Sequence, residues 1–199
     1  MIKLYKLTDG DGQTRGGTQW GPGVSHSDTG EGELCGPGWI HAYEHPLVAV
    51  LMNPIHANFP NPRLWEAEGE VGLRNGQLKC GCATLTTTRE IPLPKITTEM
   101  RVRFAIMCAQ EVCACPSWNA WADKWLSGED RSEAAAGAAA AAAYAARAAR
   151  AARAAEAAAA AAARSAYAAQ AAAEAARAAA ARAGTDIFAI AEKACSGLR

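Results

Sequence analysis

AAAGAAAAAAYAARAARAARAAEAAAAAAARSAYAAQAAAEAARAAAARA, residues Ala134–Ala183, holds 37 alanines in 50 positions, with Gly137 its lone glycine and no proline. Alanine has the highest helix propensity and loses no side-chain entropy on ordering. The run far exceeds the dozen or so residues below which an isolated helix is marginal, so it predicts helix for a quarter of the chain. As one unbroken rod it would extend roughly 75 Å at about 1.5 Å per residue. A rod of that length, or a hairpin of two shorter helices, requires a partner surface.

The polar residues within the run define that surface. Tyr144, Arg147, Arg150, Arg153 and Glu156 recur every third position, a spacing that drifts about 60° per step on a helix and winds polar groups around it. Arg164, Tyr167, Gln170, Glu174 and Arg177 step by three or four, which holds them near one side and leaves an all-alanine face opposite. That face suits close approach of a second alanine-rich helix, with less apolar area per turn than a leucine seam. Tyr144, Arg147, Arg150, Arg153, Arg164 and Tyr167 are therefore the expected oligomerisation positions, and a homo-oligomer is the expected state. A solvated spacer kept soluble by its arginines is the plainer reading of the same pattern. Six arginines against Glu133, Glu156 and Glu174 leave a net charge of plus three from Glu133 to Ala183, too dilute to track phosphates, so nucleic acid is not an expected partner.

Composition bounds the rest. Twenty basic and twenty acidic side chains cancel, which removes any overall bias toward nucleic acid or an anionic membrane. No stretch reads as a transmembrane span, because arginine interrupts the alanine run. The start, Met1-Ile-Lys-Leu-Tyr-Lys6, passes directly into a strand pattern without a signal-type apolar region, and a cytosolic location is expected. Seven cysteines at Cys35, Cys80, Cys82, Cys108, Cys113, Cys115 and Cys195 fall in no regular framework, so reduced thiols are expected. Cys80-Gly-Cys82 and Cys113-Ala-Cys115 offer four thiolates for zinc. Their one-residue spacing is shorter than the usual ligand knuckle, and small buried thiols are the better reading.

Ahead of the alanine run the pattern is mixed. Ile2, Leu4 and Leu7 open a strand, and Thr8 to Gly38 is a long glycine-rich loop of the length that often carries function. It contains no phosphate-binding fingerprint. Trp39–Tyr43 reads as a strand, and Pro46 opens a short apolar helix that Pro54 is expected to end. Arg63–Val71 and Gln77–Ile91 predict three strands around an Asn75-Gly76 turn. Thr97 is placed to cap a helix running to about Cys113, whose Val102, Ala105, Ile106, Ala109 and Val112 follow helical spacing. Trp118, Trp121, Trp125 and Leu126 form a second apolar face after Pro116. Ser127-Gly-Glu-Asp130 has the form of a capping box and predicts the long helix from near Gly128. Gly184 suits its C-terminal end, with a last short helix from Thr185. The expected fold is α+β: a mixed domain with an antiparallel sheet over 1–128, an alanine-rich helix or hairpin over 129–184, and a short helix over 185–199.

The segments Gly38-Trp-Ile-His-Ala-Tyr-Glu-His-Pro-Leu-Val-Ala-Val-Leu-Met-Asn-Pro54, Leu64-Trp-Glu-Ala-Glu-Gly-Glu-Val71 and Leu85-Thr-Thr-Thr-Arg-Glu-Ile-Pro-Leu-Pro94 resemble an uncharacterised domain family widespread in bacteriophages and prophages. The resemblance covers about Lys3 to Gly128. In that family the domain is often followed by alanine-, serine- or glycine-rich repeats. It implies a phage or prophage source and an early or accessory gene, and it carries no activity of its own.

Along Leu64–Glu70 alternation sets Trp65, Ala67 and Val71 on one face and Glu66, Glu68 and Glu70 on the other. A Glu-X-Glu strand, an earlier His-X-Tyr strand at His41 and Tyr43, and the hydroxyl run Thr86-Thr87-Thr88 are similar in outline to the NAD-using ADP-ribosyltransferases. In those enzymes a glutamate orients the nicotinamide ribose and stabilises developing positive charge. The outline departs from that family in having no arginine or histidine on the first strand, where the family holds NAD. A solvated acidic face is the simpler account of the glutamates. His41, His45 and His56 flank the same region, and Ser25-His26 lacks a third partner for nucleophilic hydrolysis.

The function expected from these observations is a non-catalytic phage accessory protein. It would oligomerise through its alanine helix and counter a host defence by binding a host protein or a nucleotide signal, in the host cytoplasm or in the virion. The alternatives are an ADP-ribosyltransferase-like enzyme using Glu66, Glu68, His41 and Tyr43, and a virion or scaffold component. No resident cofactor is expected, NAD or another nucleotide being the ligand of the enzyme alternative.

Overall fold

The computed structural model describes residues 2–145, 151–163 and 168–196, with the side chains of 143–145, 151–154, 161 and 163 outside the description. The chain divides between Lys95 and Ile96 into two compact units, 1–95 and 96–199. This differs from an expected boundary at 128. The reason lies in the alanine helices, which carry no large side chains and recruit the two helices after Lys95 to build a core.

The first unit is built on a long hairpin. Strands β6 (Arg63–Asn75) and β7 (Lys79–Ile91) pair antiparallel along their length, so the region expected to hold three strands holds two. The turn is the predicted one: Gly76 takes φ +52° and the Leu78 amide donates to the Asn75 carbonyl at 3.0 Å, a conformation glycine adopts without steric penalty. β1 (Ile2–Thr8) pairs with β6, while β4 (Ser25–Ser27) and β5 (Ile40–Ala42) both pair with β7, all antiparallel. Just past β5, Tyr43 exchanges two backbone hydrogen bonds with Tyr5 of β1, at 2.8 and 2.9 Å. That bridge closes β1, β6, β7 and β5 into a small ring.

Such tight closure needs sharp bends, and the β6–β7 register shifts between Glu66 and Ala67 and again around Val71. Leu4, Ala42, Ala67, Cys80, Cys82 and Leu85 fill the ring, and Trp20 from the glycine-rich loop joins them. Gly72 is required by packing: a Cβ there would lie 2.4 Å from the Trp39 ring. Helix α1 (Pro46–His56) packs against β1 and buries Val48, Ala49, Val50, Leu51 and Met52. It runs two residues beyond Pro54, because a proline in the last turn removes only one hydrogen bond and the Ala57 and Asn58 amides then close on the Asn53 carbonyl.

The second unit is helical. Thr97 caps α2 (Thr98–Val112), accepting from the Met100 amide at 3.2 Å as its sequence position predicts. α3 (Pro116–Ser127) buries Trp118, Trp121 and Trp125, leaving Leu126 half-buried. Gly128, at φ +83°, terminates α3 with its amide on the Trp125 carbonyl. Ser127–Asp130 is thus a helix end and not the start of the next helix. Ser132 performs the capping instead, its hydroxyl accepting from the Ala135 amide at 3.2 Å.

The alanine run contains three helices, α4 (Glu133–Ala145), α5 (Ala151–Ala163) and α6 (Ala168–Ala180). α4 packs on α5 and α5 on α6, and α2 packs against both α5 and α6. A single rod is replaced by shorter helices for a tertiary reason. α2 buries eight residues between Met100 and Ala109, too wide an apolar surface for one neighbour, and the small alanine faces can approach it closely from several sides. Trp118 ties the layers together by donating its indole N–H to the Ala155 carbonyl at 3.1 Å.

Gln170, Glu174 and Arg177 form an exposed stripe of α6, as their spacing predicts, and α6 packs within the unit against α2, α5 and α7. Of the expected oligomerisation residues, Arg147, Arg150, Arg164 and Tyr167 lie outside the described residues, and Tyr144 and Arg153 are placed by backbone only. Gly184 takes φ +87°. The last helix, α7 (Ile187–Cys195), is capped by Asp186, one residue after the expected Thr185.

Candidate functional site

Alternation along β1 creates the site. Leu4, Lys6 and Thr8 share a face and stand opposite Ala67, Trp65 and Arg63 of β6. Leu4 is fully buried, so the pleat that directs it inward also takes the Lys6 ammonium into the ring, where the residue is only 6% exposed. Lys6 Nζ donates to the His41 carbonyl at 2.8 Å and lies 4.7 Å from the centre of the Trp20 ring. Among the described residues no carboxylate pairs with it. Burial lowers its pKa to about 8 against a weak opposing pull from Cys82 and Cys80.

Lys6 lines a cavity of about 380 Å³, a volume within the range of small-molecule sites. The glycine-rich loop supplies much of the wall. Two short strands, β2 (Gln13–Thr14) and β3 (Thr18–Gln19), pair inside that loop, where only a loop is expected. Their turn presents Arg15, and Trp20 follows directly, its indole N–H held by the Thr14 hydroxyl at 3.1 Å. His26 of β4 donates from Nε2 to the Gln19 carbonyl at 2.8 Å and meets Trp20 edge-on at 4.6 Å between ring centres.

The opposite wall comes from β5 and α1. His41, Tyr43, His56 and Phe59 line the cavity, so three of the four histidines in the chain converge there. The His41 Nε2 is bonded to the Leu34 carbonyl, and burial lowers its pKa and keeps the ring neutral. Tyr43 is buried, which raises its phenol above the ordinary range, and its hydroxyl shares a hydrogen bond with His56 Nδ1 at 3.2 Å, the donor set by the His56 tautomer. The Asn53 side chain clamps the Phe59 backbone at both its N–H and C=O, at 3.1 and 3.0 Å, fixing that segment beside the cavity. Lys79 and Trp39 complete the lining. The cations Lys6, Arg15 and Lys79 face a single lining carboxylate, Asp28.

The cavity thus takes two of the four residues expected as catalytic, His41 and Tyr43. Glu66 and Glu68 do not line it. Glu66 is tied to Lys3 at 2.6 Å and to Arg89 through two bonds of 2.8 Å, and these cations hold its carboxyl below the ordinary range. Glu68 and Glu70 are exposed. Glu66 thus accepts three charge-assisted bonds on a strand flanked by β1 and β7, which ties its carboxylate to Lys3 and Arg89 and away from the cavity lining.

All seven cysteines are free thiols. Cys80 and Cys82 are both buried inside the ring, where each acts on the other, pushing the Cys80 thiol up and the Cys82 thiol down. Among the described residues no group of three or more metal-ligating side chains gathers. Sequence reasoning missed Lys6, Arg15, Trp20, His26, Trp39, Phe59 and Lys79 as site residues. The signal for Lys6 was available in its phase: it lies two residues after Leu4 on the inward side of a strand. Comparison of the chain with family models, with curated proteins and with solved structures finds no match. Among the described residues no helix is long and apolar enough to cross a membrane.

Proposed function

We propose that the first unit is a binding module for a small anionic ligand bearing an aromatic ring, of the mononucleotide class. In this reading the chain acts as a phage accessory protein that sequesters a nucleotide signal. The observation that carries the proposal is the convergence of Lys6, Arg15 and Lys79 with Trp20, Trp39 and three histidines on one cavity. Cations at a partly apolar site favour a phosphate, and the half-buried Trp39 indole offers a stacking surface that any base can use, with buried Trp20 backing the wall. Neutral His41 and the Tyr43–His56 pair add directional hydrogen bonding at the wall. The ADP-ribosyltransferase alternative is weakened by the engagement of Glu66 away from the cavity. The homo-oligomer built on alanine faces is weakened by their use within the helical unit.

The test is thermal unfolding of the full chain with AMP, ATP, NAD and cyclic nucleotides, each at large excess. A ligand at about a hundred times its Kd adds about 2.7 kcal/mol and raises the melting temperature. Arg15→Ala combined with Lys79→Ala should remove the rise, whereas Glu66→Gln should keep it. No rise with any of these ligands refutes the nucleotide reading.

A further inference from the structure

A lysine without a carboxylate partner, inside a ring of strands and on a cavity wall, calls for a chemical explanation. Its ammonium form has three N–H donors, and among the described residues the acceptor bonded to Nζ is the His41 carbonyl. Two donors would stay unmatched in a space shared with Trp20, Cys80 and Cys82. Burial therefore weakens the ammonium form relative to an exposed lysine, with the His41 carbonyl and the Trp20 face as its compensating contacts, and brings the amine form within reach near neutral pH. Arg15 and Lys79 line the same cavity and supply fixed positive charge for an anionic group.

We propose that Lys6 captures the carbonyl carbon of an anionic aldehyde or ketone as an imine. The inference rests on the binding cavity proposed above and specifies its ligand further: an anionic group held by Arg15 and Lys79, with a carbonyl reaching Lys6. The lone pair of the Lys6 nitrogen attacks the carbonyl carbon, the C=O π bond breaks, and the oxygen takes up a proton that the nitrogen gives up. The resulting carbinolamine loses its hydroxyl with the remaining N–H proton as water, leaving a C=N bond. Amine and carbonyl become imine and water, with no electron transferred. Burial supports this chemistry, since the lowered Lys6 pKa leaves a substantial amine fraction near neutrality.

The test uses pyridoxal 5′-phosphate as the probe, because it combines a ring, a phosphate and an aldehyde. The full chain is mixed with one equivalent near pH 8, reduced with borohydride, and mapped by peptide mass spectrometry. The chain has six lysines. The expected result is an adduct on Lys6 exceeding that on exposed Lys3 by roughly tenfold or more, since the amine fraction differs by about a hundredfold for pKa values near 8 and above 10. Even labelling across the lysines, or none on Lys6, overturns the proposal.

Competition separates this proposal from the nucleotide reading. Label on Lys6 that AMP or ATP displaces supports both. Label on Lys6 that no nucleotide displaces supports imine capture and refutes the nucleotide class. Stabilisation by a nucleotide without label on Lys6 refutes imine capture alone. Lys6→Arg should lose the adduct while Lys3 labelling stays unchanged, and the map of the native chain decides the question even if that variant does not fold.

Discussion

Replacing Lys6 by Met should stabilise the protein at neutral pH, and the gain should vanish as pH rises. Lys6 titrates at about 8 when folded against an ordinary 10.5, so at pH 7 folding the ammonium costs about 3 kcal/mol, at 1.36 kcal/mol per pH unit. Met has nearly the same length and no charge. It forfeits the hydrogen bond to the His41 carbonyl, worth about 1 kcal/mol, which leaves a net gain of about 2 kcal/mol at pH 7. The sign with pH is fixed by which state holds the proton. Between about pH 8 and 10.5 the unfolded chain binds it and the folded chain does not, so wild-type stability rises across that window relative to the variant. By pH 10 the cost in the wild type falls to about 1 kcal/mol, and the two proteins should be nearly equal. Urea denaturation of both chains from pH 7 to 10 measures this. Cys80, Cys82 and His41 titrate in both proteins and so largely cancel in the difference. A Met variant less stable at pH 7, or a gap that stays constant from pH 7 to 10, would refute the reasoning that Lys6 is buried as an uncompensated cation.

Two further substitutions test the packing. Gly72→Ala places a methyl 2.4 Å from the Trp39 ring, so a loss of about 1–3 kcal/mol from overpacking is expected in thermal unfolding, together with a shifted tryptophan emission. In the helical unit, Trp118→Phe breaks the indole bond to the Ala155 carbonyl, whereas the buried Trp121 N–H has no partner among the described residues. Trp118→Phe should therefore be more destabilising than Trp121→Phe by about 1–2 kcal/mol in matched denaturant titrations, and equal losses would show that the Trp118 bond contributes nothing.

Sequence reading succeeded where the deciding interaction is local. The Asn75-Gly76 turn, the Thr97 cap and the tryptophan face of α3 each depend on residues within one turn of each other, and the chain states them directly. It failed where the decision is tertiary. Helix propensity favours one long rod through Ala134–Ala183, but propensity cannot register that α2 presents apolar residues on more than one side and that alanine is small enough to satisfy them from several directions. Ser127–Asp130 illustrates the same limit at a helix end, because the motif is compatible with a start or a stop and the αL conformation of Gly128 settles it. At the site, three glutamates in alternation drew attention because carboxylates are chemically conspicuous. The sequence contains Lys3 and Arg89 as plainly, but only the register that sets Tyr5 opposite Glu66 and Glu66 opposite Arg89 brings both cations to that carboxylate.

The same register argument makes Lys6 informative. A ring of strands this small has little apolar area to offset a buried charge, and native domains are stable by only about 5–15 kcal/mol. An uncompensated ammonium that costs about 3 kcal/mol takes a large share of that margin, although methionine would fill the space without it. Alternation admits Lys6 to the interior, but it does not require a lysine there. Local rules that are broken at a stability cost concentrate at functional sites. Here the break coincides with the cavity that the glycine-rich loop encloses and that three histidines line. Two independent features of the chain, an inward lysine and a long ordered loop, therefore converge on one place. In the helical unit the buried orphans among the described residues, Arg101 Nη1, Arg103 Nε, Asn119 Oδ1, Thr185 Oγ1 and the Trp121 and Trp125 indoles, are spread over α2, α3 and the segment before α7. The binding chemistry of this protein is accordingly to be sought at Lys6, in the first unit, before the alanine helices that dominate its sequence.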